Sequence, residues 1–256
     1  MGENRTALIF AAGLGTRLKP LTDTLPKALV PYQGKPLLES VIKNLKQHNF
    51  NRFVINIHHF GDKIIDFTAE NNNFGADIYF SDERDLLRDT GGGIKHASSY
   101  LKESQHFLVH NVDIISNLNL DKFYSEYSTK QDMLATLVVS QRKTSRYFLF
   151  NEDSRLVGWT NISTGEVRSP YLEIQQLSST EACKLYKPLA FAGIHLISNK
   201  IFSLLEDRSE EVFSIVDFYL KAAKNHVIYG WEAPADVSIR DIGKLHELGS
   251  TTITKA

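Results

Sequence analysis

The sequence predicts an α/β fold in which a mixed, mostly parallel central sheet lies between layers of helices. Strand-like and helix-like segments alternate from the first residues onward, the order typical of parallel sheets with helices on both faces. The strand-like segments are short and continuously apolar, as at residues 7–12, 53–57 and 107–109, and strands buried on both faces show that pattern. No low-complexity linker or internal repeat divides the chain, so we expect one domain over residues 1–256.

The individual elements follow from hydrophobic spacing. The clearest helix begins behind Pro36, and its apolar residues Leu37, Val41 and Leu45 recur along one face. Further helices are predicted at residues 62–71, 91–100, 120–128 and 210–224. Further strands are predicted at residues 78–80, 134–139, 147–150, 156–159, 190–197 and 227–231. Two of these strands, at 147–150 and 156–159, form a predicted hairpin, so the second half is expected to be more mixed than the first.

Composition and charge exclude several classes of protein. Hydrophobic residues make up 42% and charged residues 23% of the chain, close to the globular average. The 29 basic and 30 acidic side chains leave a net charge of −1, which argues against nucleic acid or an anionic membrane as the partner. The single cysteine, Cys183, cannot form an internal disulfide, and no apolar run approaches the ~18 residues of a membrane span. We therefore expect a cytoplasmic protein; its oligomeric state does not follow from the sequence.

The residues after the first predicted strand are typical of a phosphate-binding loop. Gly13 and Gly15 allow the backbone to approach a ligand closely and to point N–H groups at it. A dinucleotide fingerprint would need a third glycine where Leu18 stands, and the Gly-Lys-Ser/Thr of a P-loop is missing. Arg17 and Lys27 flank the loop and would place two cations beside a triphosphate. A glycine pair alone is more often an ordinary turn, so both interpretations stay open.

Two aspartates far apart in the sequence follow predicted strands. Asp113 lies just beyond the strand at 107–109, and Asp241 follows another apparent strand. Since ligand groups in open α/β sheets lie at the carboxyl ends of strands, the two carboxylates can meet at one edge. Mg²⁺ prefers oxygen ligands, and nucleotidyl transfer usually needs a divalent ion to neutralise phosphate charge. Considered alone, each aspartate is more often a helix cap or a turn former.

Two further glycine-containing segments are candidates for ligand contact. Residues 89–94 contain three consecutive glycines before a predicted helix, where backbone N–H groups can face a ligand; the alternative is a flexible hinge. Gly193, in the strand at 190–197, would admit a sugar ring beside the strand; the alternative is a glycine at a β-bulge.

The first loop also carries a longer motif. Residues 13–22 read Gly-Leu-Gly-Thr-Arg-Leu-Lys-Pro-Leu-Thr and are followed by Pro26 and Lys27. This string resembles the signature of the sugar-nucleotidyltransferase family, also called nucleotide-sugar pyrophosphorylases. The resemblance implies a three-layer α/β/α, Rossmann-like nucleotidyltransferase fold of GT-A-like type. It also implies a nucleotide-binding half at about residues 1–140 and a sugar-binding half at about 141–256.

The resemblance implies roles for individual residues. Those of the first loop would bind a nucleoside triphosphate: Ala11, Ala12, Gly13, Leu14, Gly15 and Thr16. Arg17 would assist the departing pyrophosphate, and Lys27 would contact phosphate. Asp113 and Asp241 would hold Mg²⁺, although Val112 stands where family members commonly have glycine, which puts the local backbone path in question. The remaining contacts to the nucleotide would come from Thr90, Gly91, Gly92 and Asn111, and the contact to the sugar from Gly193.

The implied reaction is attack of a sugar 1-phosphate on the α-phosphorus of a nucleoside triphosphate, with release of pyrophosphate. The Thr-Gly-Gly-Gly run behind an acidic residue is most similar to short bacterial N-acetylmuramate-1-phosphate uridylyltransferases, which favours UTP and N-acetylmuramate 1-phosphate. The alternatives are a mannose-1-phosphate guanylyltransferase and a cytidylyltransferase for a small phosphorylated alcohol. An alternative of another class is a catalytically inactive regulatory module that binds a nucleotide sugar.

Overall fold

A computed structural model of the protein describes residues 5–248; the ends of the predicted domain, residues 1–4 and 249–256, lie outside this description. The strands are β1 (Arg5–Phe10), β2 (Pro31–Tyr32), β3 (Lys35–Pro36), β4 (Phe50–Ile57), β5 (Asp77–Asp82), β6 (His106–Asn111), β7 (Ile114–Ser116), β8 (Met133–Ser140), β9 (Arg146–Phe150), β10 (Leu156–Asn161), β11 (Glu166–Arg168), β12 (Lys187–Ser198), β13 (Val227–Glu232) and β14 (Ile239–Asp241). The α-helices are α1 (Leu37–Gln47), α2 (Gly61–Glu70), α3 (Asp89–His96), α4 (Ser98–Leu101), α5 (Leu120–Tyr127), α6 (Leu172–Gln175), α7 (Ser179–Leu185), α8 (Ile201–Glu206), α9 (Ile215–Ala222) and α10 (Leu245–Leu248). Short 3-10 turns lie at Thr16–Leu18, Leu21–Asp23, Lys27–Leu29 and Asn72–Gly75. None of the helices described is long and apolar enough to span a membrane.

One ten-stranded sheet runs through the described chain. Strands β6, β1, β4 and β5 are parallel neighbours in that order, and β12 runs antiparallel to β6. On its other side β12 pairs antiparallel with β8, which in turn pairs with β13 in parallel. The predicted hairpin is confirmed as β9 and β10, which extend the sheet from the first residues of β12. The sheet is therefore mixed and mostly parallel in its first half, as the sequence predicts.

Two hydrophobic cores lie on opposite faces of this sheet. Ala7 and Ile9 of β1 join the core beneath α1, α2 and α5, whereas Leu8 joins the core beneath α3, α4, α8 and α9. All three side chains are fully buried. A strand buried on both faces needs apolar residues at every position, which explains the continuous apolar run. The predicted three-layer α/β/α arrangement is confirmed, and the division into two functional halves stays a prediction.

The glycine-rich helix differs most from its predicted form. The helix predicted at 91–100 begins at Asp89 and is divided into α3 and α4, and the helix predicted at 210–224 is reduced to α9. Residues 211–213 instead lie against α3, where the amides of Gly91 and Gly92 donate to the Phe213 carbonyl oxygen over 2.9 and 3.2 Å. All three consecutive glycines are buried. They form part of a helix packed against this segment and do not form a loop in front of a helix.

Gly92→Ala is expected to lower the free energy of unfolding by about 1–3 kcal/mol, since overpacking a tight contact costs that much. A Cβ at this position would lie 2.0 Å from the carbonyl oxygen of Glu211, and backbone atoms cannot yield as a flexible side chain does. Urea unfolding followed by circular dichroism measures the loss. Gly13→Ala is the matched control, because nothing lies within 4 Å of a Cβ there. Equal losses in the two variants would contradict the steric explanation.

His195 gives the fold a pH dependence. Burial, and secondarily repulsion from His110, lowers the pKa of His195 to about 3. The folded pKa lies below the ~6.5 of an unfolded histidine, so the unfolded chain takes up the proton first as the pH falls. Stability is therefore expected to be full above about pH 6.5 and to decline below it, by about 2 kcal/mol at ~pH 5 for this group. Urea unfolding at the two ends of that range should show His195→Gln losing this part of the decline. A decline in His195→Gln equal to that of the wild-type protein would contradict this role.

Candidate active site

The glycine loop begins where β1 ends. Gly15 has a φ of +64°, in the left-handed region, and an added Cβ would lie 2.7 Å from Cγ2 of Thr22. The Thr22 hydroxyl and the Leu18 amide both donate to the Gly15 carbonyl oxygen over 2.8 Å. These bonds fold the loop back on itself, and only glycine adopts the required turn without strain.

The amides of this loop fall into two groups. Ala11 and Ala12 lie beyond the end of β1, and their amides donate to the side-chain oxygen of Asn56 over 2.6 and 3.1 Å. Both amides therefore already have an acceptor within the protein, and the contact of these two residues with a nucleotide stays a prediction. By contrast, no acceptor within residues 5–248 takes a hydrogen bond from the amides of residues 13–16. Neighbouring unpaired amides on an exposed loop are suited to bind an anion.

The predicted charged residues meet around one glycine. An ideal Cβ on Gly243 would lie 2.7 Å from Nη2 of Arg17, 2.7 Å from Oδ1 of Asp241 and 2.9 Å from Oδ2 of Asp113. The ammonium group of Lys27 pairs with the same oxygen of Asp113. The structure thus brings together the four side chains that the sequence separates between its first loop, its middle and its C-terminal part.

A small separate ribbon holds the two aspartates together. Strand β7 follows Asp113 and pairs antiparallel with β14, so that Asp241 lies opposite Ile114. The Ile242 amide donates to the Asp113 carbonyl oxygen over 2.8 Å, and the Gly243 amide donates to Oδ1 of Asp241 over 2.9 Å. Valine at position 112 does not disturb this path: its amide donates to the carbonyl oxygen of Phe10 over 3.1 Å, beside the loop.

The two carboxylates fit a hard divalent cation. No group of three or more histidine, cysteine, aspartate or glutamate side chains occurs among the residues described, so the donor set of this site is two carboxylates. Mg²⁺ is typically bound by one or two carboxylates while it keeps several waters and contacts substrate phosphates. Asp113 is 8% exposed, and its pairing with Lys27 balances its charge. The residues present therefore fit Mg²⁺ held by Asp113 and Asp241.

A cavity of about 520 Å³ opens beside these groups, within the size range of small-molecule sites. Predicted residues that line it are Ala12, Gly13, Arg17, Lys27, Thr90, Asn111 and Asp113. Asp89, from the candidate segment 89–94, also lines it. Lining residues that sequence reasoning missed are Phe10, Asn56, Glu83, Leu87, Val112 and Val212. Asp113 follows β6 and Leu87 follows β5, the two outer strands of the parallel row, so the cavity extends from the charged side chains beside Asp113 to Leu87 near the start of α3. Asp241 does not line it.

Asn56 and Glu83 form a buried polar network behind the cavity. Nδ2 of Asn56 donates to Oε1 of Glu83 over 3.0 Å, and Oε2 of Glu83 accepts from the Arg88 amide over 3.1 Å. Asn56 is 4% and Glu83 1% exposed. The network connects the residues that begin the glycine loop to the start of α3. A polar residue inside the apolar run of β4 was the available sequence signal for it.

The residues predicted to contact the nucleobase also fall into two groups, those that line the cavity and those whose amides are bonded within the protein. Asp89 and Thr90 line the cavity, but Gly91 and Gly92 use their amides to bind Phe213, as described above. The Thr90 hydroxyl also has a partner, since it accepts from the Ile215 amide over 3.0 Å. Two of the predicted backbone donors to the nucleotide are therefore already engaged within the protein.

Gly193 lies next to Asn111. Its φ is +74°, the register between β12 and β8 shifts here, and an added Cβ would lie 2.7 Å from Nδ2 of Asn111. The glycine is thus at a β-bulge, one of the two interpretations of the sequence, and it also borders a cavity residue. Its contact with a sugar stays a prediction.

Comparison with known proteins shows which family the chain resembles. The family model described as nucleotidyl transferase matches residues 6–158. An N-acetylmuramate alpha-1-phosphate uridylyltransferase of Caulobacter vibrioides is 27% identical over 228 residues, covering 88% of this chain and 87% of that protein. A protein of the same name from Neisseria meningitidis serogroup B is 37% identical over 123 residues, covering 48% of this chain and 53% of that protein.

The solved structure of the inositol-1-phosphate CTP transferase from T. maritima has a TM-score of 0.74 at 18% identity and covers 97% of this chain and 93% of that chain. At that identity it supports the fold alone. The family model spans more than half of the chain and includes the glycine loop and Asp113. The protein is therefore an enzyme of the sugar-phosphate nucleotidyltransferase class and belongs to the nucleotidyl transferase family.

Proposed function

We propose that the protein catalyses the Mg²⁺-dependent transfer of a uridylyl group from UTP to N-acetylmuramate 1-phosphate, giving the UDP-sugar and pyrophosphate. The observation that carries the reaction type is the convergence of Arg17, Asp113 and Asp241 around Gly243 beside the unpaired amides of residues 13–16. The choice of nucleotide and sugar is supported by the names of two relatives, one of which aligns over 88% of this chain.

The chain's own groups bind the phosphates and stabilise their charge. The amides of residues 13–16 and the Arg17 guanidinium face the triphosphate and its leaving pyrophosphate, and Lys27 adds a second positive charge beside Asp113. A bound Mg²⁺ would neutralise negative charge on the phosphate oxygens. An oxygen of the sugar 1-phosphate forms a bond to the α-phosphorus while the bond from that phosphorus to the pyrophosphate oxygen breaks. No general base is required, because the attacking phosphate is already ionised.

A grid of substrates tests this proposal. Pyrophosphate release is measured for UTP, GTP, CTP and dTTP, each with N-acetylmuramate, glucose, N-acetylglucosamine and mannose 1-phosphates, with Mg²⁺ and with EDTA. The expected result is the highest kcat/KM for UTP with N-acetylmuramate 1-phosphate and no release in EDTA. A higher value for GTP with mannose 1-phosphate or for CTP would overturn the substrate assignment. The absence of pyrophosphate release from every combination of substrates would favour the inactive regulatory module. The presence of Arg17, Asp113 and Asp241 argues against that alternative.

A further inference from the structure

Residues 211–213, here called the 211–213 segment, reach the cavity through Val212, although they lie outside the matched family model. Hydrogen bonds hold the segment in place: Phe213 accepts from Gly91 and Gly92, and its own amide donates to the Arg88 carbonyl oxygen over 3.3 Å. The Gly91 position is as close as that of Gly92, since an added Cβ would lie 2.3 Å from the Phe213 ring. The consecutive glycines thus allow this segment to reach the cavity.

Val212 is the residue that the segment presents at the cavity. Its side chain is 51% exposed, although the neighbouring Phe213 is buried in the core. Leu87 follows β5 and Asp113 follows β6, the two outer strands of the parallel row β6, β1, β4 and β5, so Leu87 lies at the end of the cavity away from Asp113. Val212 lies beside Leu87, because the amide of the next residue, Phe213, donates to the Arg88 carbonyl oxygen. An exposed aliphatic side chain that lines a cavity gains stability when a ligand covers it.

The charged residues near Val212 and Leu87 indicate which part of a nucleotide can bind at this end of the cavity. Asp89 lines the same end and would repel a phosphate. Glu83 is 1% exposed, and its two oxygens accept from the Asn56 side chain and from the Arg88 amide. The cationic groups and unpaired amides lie at the opposite end. A nucleotide whose phosphates lie at the charged end would extend its neutral heterocycle toward Val212 and Leu87.

We propose that Val212, together with Leu87, contacts the face of the nucleobase and so contributes to the affinity for the nucleoside triphosphate. This proposal rests on the proposed function, because it assumes that the triphosphate occupies the charged end of the cavity. It assigns to a segment of the C-terminal half a direct contact with the nucleotide. Gly91 and Gly92 of α3 then serve nucleotide binding indirectly, because they position that segment.

Val212→Asp tests the contact, because it puts a charge where the apolar face of the base would lie. The expected result is a rise of about tenfold or more in the KM for UTP and in its Kd by isothermal titration calorimetry, since one unpaired polar contact discriminates by that order. The kcat and the KM for the sugar 1-phosphate should change less than about twofold. Val212→Thr, which keeps the shape, should raise the KM for UTP by a smaller factor.

Ile162→Asp is the matched control, since Ile162 is 50% exposed, follows the last residue of β10 and does not line the cavity of the candidate site. An unchanged KM and Kd for UTP in Val212→Asp, or a rise confined to the KM for the sugar 1-phosphate, would overturn the inference.

The failure of this inference and the failure of the proposed function give different results. If the wild-type protein releases no pyrophosphate from any nucleotide, the proposed function fails, while the Kd for UTP still tests the contact. If the wild-type protein is active and Val212→Asp matches it, the inference alone fails.

Discussion

Asp113→Asn and Asp241→Asn are each expected to lower the kcat for pyrophosphate release by about a thousandfold, comparable to the loss of a main electrostatic contact in an active site. Each substitution keeps the shape of the side chain and removes one of the two negative charges that converge around Gly243. The oxygen of the new amide at position 113 can still accept from Lys27. A loss of rate without a loss of folding is therefore the expected result, with circular dichroism checking the fold.

A matched control comes from the loop before β14. Asp236 is an exposed aspartate five positions before Asp241, and it does not line the cavity described above. Asp236→Asn should keep wild-type turnover. Titration with Mn²⁺ in place of Mg²⁺ provides a second readout, since both active-site variants should require a higher metal concentration for half-maximal rate. Near-wild-type turnover in either variant would contradict the role of the acid pair.

Asn56→Asp is expected to lower the free energy of unfolding by about 3 kcal/mol, the order found when a buried charge loses its compensation. The substitution replaces the N–H donor that lies 3.0 Å from Oε1 of Glu83 by a carboxylate oxygen, in a position that is 4% exposed. Because the same side chain accepts from Ala11 and Ala12, the start of the glycine loop should also shift, and the KM for UTP should rise. Urea unfolding and steady-state kinetics measure the two effects.

Exchanging the donor and the acceptor between positions 56 and 83 should restore the hydrogen bond between these two side chains. In the double variant Asn56→Asp with Glu83→Gln, the new amide at position 83 donates to the new carboxylate and still accepts from the Arg88 amide. The double variant is therefore expected to be more stable than Asn56→Asp alone by about 2 kcal/mol, a favourable coupling between residues in contact. Asn225→Asp, at an exposed position, should change stability by less than about 0.5 kcal/mol. A double variant no more stable than Asn56→Asp would rule out the network as the cause.

The layers of the fold follow from the sequence because burial on both faces imposes an unbroken apolar pattern. The runs at β1, β4 and β6 show this pattern, and the structure places them side by side. The extent of α9 could not be predicted in the same way. Residues 210–214 continue an amphipathic pattern, but the backbone of Phe213 bonds to α3 instead of to its own helical turn. A long-range contact of this kind overrides local helix propensity.

The candidate site also has residues that the sequence could predict and residues that it could not. The meeting of Asp113 and Asp241 agrees with the rule that ligand groups lie at strand ends, and the family resemblance selected these two among many aspartates. A sequence does not show which amides already have an acceptor, so it could not indicate that those of Ala11, Ala12, Gly91 and Gly92 are bonded within the protein. Val212 carries no local signal at all, since an aliphatic residue beside the apolar Phe213 is typical of a core.

The ribbon formed by β7 and β14 has a mechanical consequence. It is a two-stranded sheet apart from the ten-stranded one, and its backbone bonds fix Asp241 to the residues that follow Asp113. The backbone bonds of this ribbon therefore set the separation of Asp113 and Asp241, and the packing of distant helices does not. Because these bonds lie outside the ten-stranded sheet, the acid pair keeps its spacing independently of how the helices pack on that sheet.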